Sequence, residues 1–239
     1  GRGHGPGGGP PFFLPPAPPP PATMRALVPA PLELDTFDGS AWIGIVPFRM
    51  SGVRPRFIPA LPWLSAFPEL NVRTYVRSPN PASPKPGVYF FSLEAANPLA
   101  VMLARRFFKL PYSNAHLRLW DDSRTVHFLG RRAHHLAPPA NFAAHYAASG
   151  PVFHAAAGSL EAWLTERYSL YTVDGENQVH IGEIHHLPWP LQPAEAIIDG
   201  NSMAEAAGLA LPTPPPLLHF ARRLDVAIWP LRRLHKGQT

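Results

Sequence analysis

Along residues 67–76 (FPELNVRTYV) apolar and polar side chains alternate, with Leu70, Val72, Thr74 and Val76 on one face and Glu69, Asn71, Arg73 and Tyr75 on the other. A period of two predicts a strand, and its polar row either lines a cavity or faces solvent. Short apolar runs recur on both sides of it, separated by turn residues. Leu32–Leu34 and Ala41–Phe48 flank Asp38-Gly39, and Tyr168–Val173 and Gln178–His186 flank Asp174-Gly175, so each pair predicts a hairpin. A further hairpin is predicted from Leu117–Leu119 and Thr125–Leu129 around Asp121-Asp122, and single strands over Val88–Leu93, Ala194–Ile198 and Leu217–Trp229.

The helical signals are fewer. Thr23 caps a turn over Met24–Val28 that Pro29 and Pro31 end. Asn97 followed by Pro98 starts a helix that runs to Phe108 and stops before Pro111. Ser159 caps a helix through Glu166, and Asn201–Gly208 is a short helix with Gly208 as its stop signal. The fold class is therefore mainly β with helical insertions (α+β), arranged as a barrel or sandwich. Residues 1–22 are Gly/Pro-rich and are expected to be disordered or polyproline-like. A single domain is expected over 23–234, with a short tail at 235–239.

Composition narrows the function classes. The 33 prolines suit short strands and turns, and the absence of cysteine excludes disulfides, thiolate nucleophiles and zinc-finger sites. The formal charge of +5 raises nucleic acid as a partner, but the arginines fall in scattered pairs without a nucleic-acid motif. No nucleic acid and no membrane is expected, because the best apolar stretch, Leu99–Ala104, is short and runs into Arg105-Arg106. With no secretory signal at the start of the sequence, the expected compartment is the cytoplasm.

Two sets of segments carry a resemblance. Met24–Pro29 with Pro31–Asp35, then Asn97–Val101 with Arg105–Pro111, are similar in order and spacing to segments of acetoacetate decarboxylases. FDGSAWIGIVPFRM, FPELNVRTYVR, LTERYSLY, GEIHHLPWPLQPAEA and RRLDVAIWP together resemble more closely a bacterial family of unassigned function with an acetoacetate decarboxylase-like fold. The resemblance spans about residues 23–234. Members of that family carry a strand just before the short helix. Here the Gly/Pro tract stands in its place, as a divergent end or a mis-called start, which predicts an unpaired barrel edge.

What the resemblance implies for chemistry is mostly a loss. Acetoacetate decarboxylases bind their β-keto acid as an imine on the first of two lysines after a proline, and the neighbouring charge lowers that amine's pKa. At the matching positions this chain has Tyr112 and Ser113 after Pro111. Neither forms an imine, so a Schiff-base decarboxylase is not expected. The resemblance puts Glu69 where the family places an acidic group near its substrate. Arg73, on the same strand face, pairs with Glu69 or holds a ligand carboxylate through its bidentate fork. The candidate catalytic residues are Glu69, Tyr112 and His185. The candidate ligand contacts are Arg73, Ser113, Glu183 and Trp189, with Glu183 and His185 facing the cavity. Each has a plainer reading: a structural Glu–Arg pair, a core tyrosine, simple packing for Trp189.

His180, Glu183, His185 and His186 do not converge from one strand, since alternation separates Glu183 and His185 from His180 and His186; no metal is expected. No cofactor is implied. The expected partner is a small organic molecule, keto- or carboxylate-bearing, with a homo-oligomer left open. Three functions remain: a non-Schiff-base enzyme moving protons on keto or enol species, a non-catalytic binding or sensing module, or a scaffold with a vestigial pocket.

Overall fold

The computed structural model describes residues 18–50, 66–79, 84–135, 137–210 and 217–234, together with the backbone of 11–14. Its strands in chain order are β1 (Pro11–Leu14), β2 (Glu33–Leu34), β3 (Ile43–Met50), β4 (Phe67–Arg77) and β5 (Pro86–Ala95). Then come β6 (Tyr112–Asp121), β7 (Val126–Arg132), β8 (Asn141–Ala148), β9 (Ser169–Val173) and β10 (Val179–His186). The last are β11 (Gln192–Asn201), β12 (Leu217–Phe220), β13 (Val226–Ile228) and β14 (Arg232–Arg233). The helices are α1 (Pro21–Leu27), α2 (Pro98–Phe108), α3 (Leu160–Thr165) and α4 (Met203–Ala206).

The strands close into a barrel. Following hydrogen-bonded neighbours, β5-β6-β7-β8-β11-β12-β1-β3-β4 returns to β5 through the long β4–β5 ladder. Closure removes the free edges that an open sheet of this size would expose. Pairing is antiparallel except where β5 divides one edge between two parallel partners, with Leu93–Ala95 meeting β6 and Val88–Tyr89 meeting β9. From that fork β9 leads to β10, which carries β13 and β14 outside the ring. Gly87 stands at the fork, where a Cβ would lie 2.5 Å from the Ser169 carbonyl oxygen and 2.6 Å from the Tyr171 ring.

The alternation read from residues 67–76 sorts the core into two layers. Leu70, Val72 and Val76 join Ile43, Ile45, Leu117, Phe128, Phe142, Ala144, Tyr146 and Phe220 in one buried cluster, contributed from all round the ring, and this is the barrel interior. The opposite face of β4 lies outside the ring under a second cover. There Tyr75 packs with Val46, Val88, Phe90, Leu93, Leu164, Leu170, Trp189 and Leu191. β4 is thus buried on both faces, which places its polar row inside the molecule and not in solvent.

Asn97 caps α2 through bonds from the Leu99 and Ala100 amides, and Ser159 caps α3 through the Ala162 amide, as the sequence predicts. Lys109 stops α2 in a left-handed conformation. The hairpins β6–β7 and β9–β10 form. Other expectations are corrected. Leu32–Leu34 and Ala41–Phe48 do not form a hairpin: the turn at Asp38-Gly39 closes only the Phe37–Ser40 bridge, and β2 and β3 lie end to end along one edge of β4. Leu217–Trp229 is two strands, β12 in the ring and β13 on β10, because the chain leaves the sheet at Ala221–Asp225. The first helix begins at Pro21, without a Thr23 cap. Within the tract read as unstructured, Pro11–Leu14 forms β1 and pairs with β12 and β3, so the edge expected to be unpaired is filled. The rest of that expectation, at 1–10 and 15–17, and the tail at 235–239 lie outside the described residues. No helix among the described residues is long and apolar enough to cross a membrane.

Candidate functional site

The outer face of β4 carries the chemistry. Glu69, Asn71, Arg73 and Tyr75 follow one another at alternate positions, and each is buried. The register of β5 against β6 sets Leu93 beside Tyr112, and that of β4 against β5 sets Asn71 beside Leu93. The Tyr112 ring therefore lies on Glu69's side of the sheet. Its hydroxyl donates to the Glu69 carboxyl, at 3.1 Å from Oε2 and 3.3 Å from Oε1. Met50, Phe67, Ala95, Ala100 and Val101 make the apolar surroundings.

Burial raises the Glu69 pKa to about 8; the Tyr112 hydrogen bond opposes that rise and the charge of Glu94 adds to it. Glu69 is thus a neutral acid at pH 7, held against a phenol. Burial, with Glu69 beside it, holds Tyr112 well above its usual range, so the phenol stays protonated.

Arg73 sits with its guanidinium 5.8 Å from the Trp189 ring and 5.9 Å from the Tyr75 ring. Between Glu69 and Arg73, the Asn71 Oδ1 atom is buried with no hydrogen-bond partner among the described residues. Further along the same face Arg167 binds the buried Asp35 at 2.6 Å and lies 4.1 Å over the Trp163 ring. Arg77 reaches Asp35 from the solvent side, also at 2.6 Å. Burial lowers the Arg167 pKa, and Asp35 opposes that shift.

The sequence candidates do not all meet here. Glu69, Arg73, Tyr112 and Trp189 share this layer. Ser113 pairs with Glu94 and so points to the barrel interior, where Glu94 forms a buried ion pair with Arg132. Burial raises the Glu94 pKa and Arg132 opposes it. Glu183 and His185 do not face a shared cavity. Glu183 is half-buried and bonded to Lys85 at 3.0 Å and Arg232 at 3.3 Å, while His185 is exposed. The parity read from the sequence is right but its inward side is reversed. Gly182 pairs with Leu170 on the covered face, which carries His186 inward to stack on Tyr168 and meet Trp189 edge-on. Asn71, His186, Asp35, Arg167 and the Glu94–Arg132 pair were not among the candidates. The alternation of β4 pointed at Asn71 alone. Two surface clefts, of about 530 and 380 Å³, lie elsewhere: one on the outer face of β6, β7 and β8, the other between α2, Tyr171 and the β9–β10 turn.

The architecture has solved counterparts. An acetoacetate decarboxylase from Legionella pneumophila superposes with a TM-score of 0.58 at 13% identity, covering 97% of this chain and 88% of that one. The enduracididine biosynthesis enzyme MppR superposes with a TM-score of 0.60 at 11% identity, covering 94% and 85%. At such identities the likeness establishes the fold alone. Protein YqjF of Bacillus subtilis, described as uncharacterized, is 46% identical over 210 residues, which are 88% of this chain and 84% of that protein. The model of the DUF2071 family, described as an uncharacterized conserved protein, matches residues 18–225. The chain is a member of the DUF2071 family, built on the acetoacetate decarboxylase-like fold.

Proposed function

We propose that the outer face of β4 binds a small keto- or enol-bearing organic acid and that Glu69 and Tyr112 move a proton on it without an imine. The observation that carries this reading is the buried Glu69–Tyr112 pair, a carboxyl with a pKa of about 8 bonded to a phenol. An acid with a pKa close to neutral is suited both to give and to take a proton. Arg73 supplies the fork that would hold the ligand's carboxylate, and Asn71 Oδ1 supplies an acceptor between the two. Trp189 covers Arg73. The structural relatives point to the same substrate class, since one is named for acetoacetate and MppR has been solved with pyruvate. His185 and Ser113 have no place in this scheme, because their side chains point elsewhere.

The test is a thermal-shift screen of small keto acids on the wild type, Arg73→Ala and Glu69→Gln, followed by ¹H NMR of any hit in D₂O. A ligand at 100 times its Kd stabilises by about 2.7 kcal/mol. The expected result is a stabilisation that Arg73→Ala loses, with deuterium exchange beside the ligand carbonyl that Glu69→Gln abolishes. Borohydride with acetoacetate should leave the intact mass unchanged; a lysine adduct, or a screen with no stabilising acid, would overturn the proposal. A non-catalytic binding module is the second reading, favoured by the missing amine at Tyr112-Ser113. Stabilisation without deuterium exchange would select it.

A further inference from the structure

Among the described residues no element covers the outer face of β6, β7, β8 and β11, where Trp120, Leu129 and Ile197 are exposed. Four adjacent strands present one continuous surface. Its register runs Arg118–Leu129–Ala143 in one row and Trp120–His127–His145–Ile197 in the next, with Asp199 on the bulge of β11 beside both. Trp120 is 39% exposed, Leu129 38% and Ile197 68%. Trp120 and Ile197 stand at the two ends of their row with His127 and His145 between them, and Leu129 lies between Arg118 and Ala143 in the other, so exposed apolar side chains alternate with polar ones across the face.

The charges at its two margins are opposite. β6 carries the cation Arg118, placed over the Trp120 ring at 5.5 Å, and β11 carries the anion Asp199, held by His145 at 2.9 Å. Face-to-face packing of two identical patches about a two-fold axis matches each point with its reflection across that axis. An axis running along the strands, between β7 and β8, exchanges β6 with β11 and β7 with β8. Under that operation Arg118 of one copy meets Asp199 of the other, Trp120 meets Ile197, and Leu129 meets the small Ala143. Trp120 and Leu129 then each face an apolar side chain and Arg118 faces its opposite charge, while His127 faces His145 and Arg131 faces Asn141. The cleft bounded by Arg118, Leu129 and Ala143 gives the Leu129 side chain of the second copy somewhere to go.

We infer that this chain forms a two-fold homodimer through the outer face of β6, β7, β8 and β11, with Arg118 paired to Asp199 across the axis. The inference is independent of any ligand at Glu69. Sedimentation equilibrium of the full chain should find a dimer for the wild type. Arg118→Glu makes both margins acidic and Asp199→Arg makes both basic. Each single variant should therefore dimerise at least tenfold more weakly. An equimolar mixture of the two variants restores both charge pairs in one heterodimer and should recover the dimer. Far-UV circular dichroism and the melting curve confirm that each variant is folded; where Asp199→Arg fails to fold, Asp199→Lys takes its place in the mixture. A wild type that stays monomeric overturns the inference. So does a dimer that the single variants leave intact, or a mixture that dimerises no better than its components.

Discussion

Replacing Glu69 by glutamine should make the protein more stable in alkali and leave it almost unchanged in acid. The carboxyl has a pKa of about 8 in the fold against an ordinary value of 4.5, because burial penalises its charged form. A raised carboxyl pKa means that the folded state holds a proton which the unfolded chain has released. The stabilisation is complete below pH 4.5, falls as pH rises from 4.5 towards 8, and is gone above 8. A gap of about 3.5 pH units at ~1.36 kcal/mol each gives about 5 kcal/mol, the size of a whole domain's marginal stability. Glutamine is neutral at every pH and has nearly the shape of the protonated acid. Urea unfolding at pH 5, 7 and 9 on both proteins reads the difference. The expected result is near-equality at pH 5 and a Glu69→Gln advantage of several kcal/mol at pH 9, with equal m-values. Wild-type and variant curves that run parallel from pH 5 to 9 would show that Glu69 is not held neutral by burial, and the proton-transfer proposal would lose its acid.

Two further substitutions probe the same layer. Tyr112→Phe removes the phenol that opposes the rise in the Glu69 pKa. It should cost about 1–2 kcal/mol at neutral pH and prolong the alkaline loss of stability, which still begins near pH 4.5, to higher pH, both read from the same urea series. Arg167→Met leaves the Asp35 carboxylate buried with the half-exposed Arg77 as its one remaining ionic partner among the described residues. A loss of about 3–5 kcal/mol is expected in urea unfolding, and a loss below 1 kcal/mol would mean that Arg77 and water suffice to solvate Asp35.

How much of the fold could be read in advance depends on whether a signal is local. The Asn97 and Ser159 caps and the Asp174-Gly175 hairpin are set by residues next to one another, and they form as read. Asp38-Gly39 shows the limit of the same reasoning. The turn chemistry is right, yet β2 and β3 find their hydrogen bonds along β4, with Glu33 opposite Arg77 and Ile43 opposite Thr74, both far along the chain. β8 (NFAAHYAA) escapes notice because alanine has a low intrinsic strand preference. It is a strand because Phe142, Ala144 and Tyr146 fill the barrel interior, which is a tertiary reason. β1 is hidden in the same way, since prolines on both sides dominate its composition while β12 and β3 supply its pairing.

The candidate site follows one rule throughout: sequence fixes which residues share a face, and only pairing fixes where that face points. Glu69, Asn71, Arg73 and Tyr75 share a face in the sequence and in the structure, because period two is a property of the strand alone. Tyr112 could not be assigned to that group, nor Ser113 removed from it, until the parallel register of β5 on β6 set Leu93 against Tyr112 and Glu94 against Ser113. The same argument decides between His185 and His186, one residue apart and on opposite sides of β10. It also bears on the lost lysines. The two positions that the resemblance aligns with the lysine pair lie on opposite faces of β6, one against Glu69 and one beside Glu94. Each therefore answers to a different buried carboxyl. With tyrosine at the first, Glu69 meets a neutral donor and keeps its proton. An ammonium there would instead favour the carboxylate and draw the proton away. The exchange of lysine for Tyr112 thus removes the imine and, by the same step, leaves Glu69 as an acid whose pKa stands near neutrality.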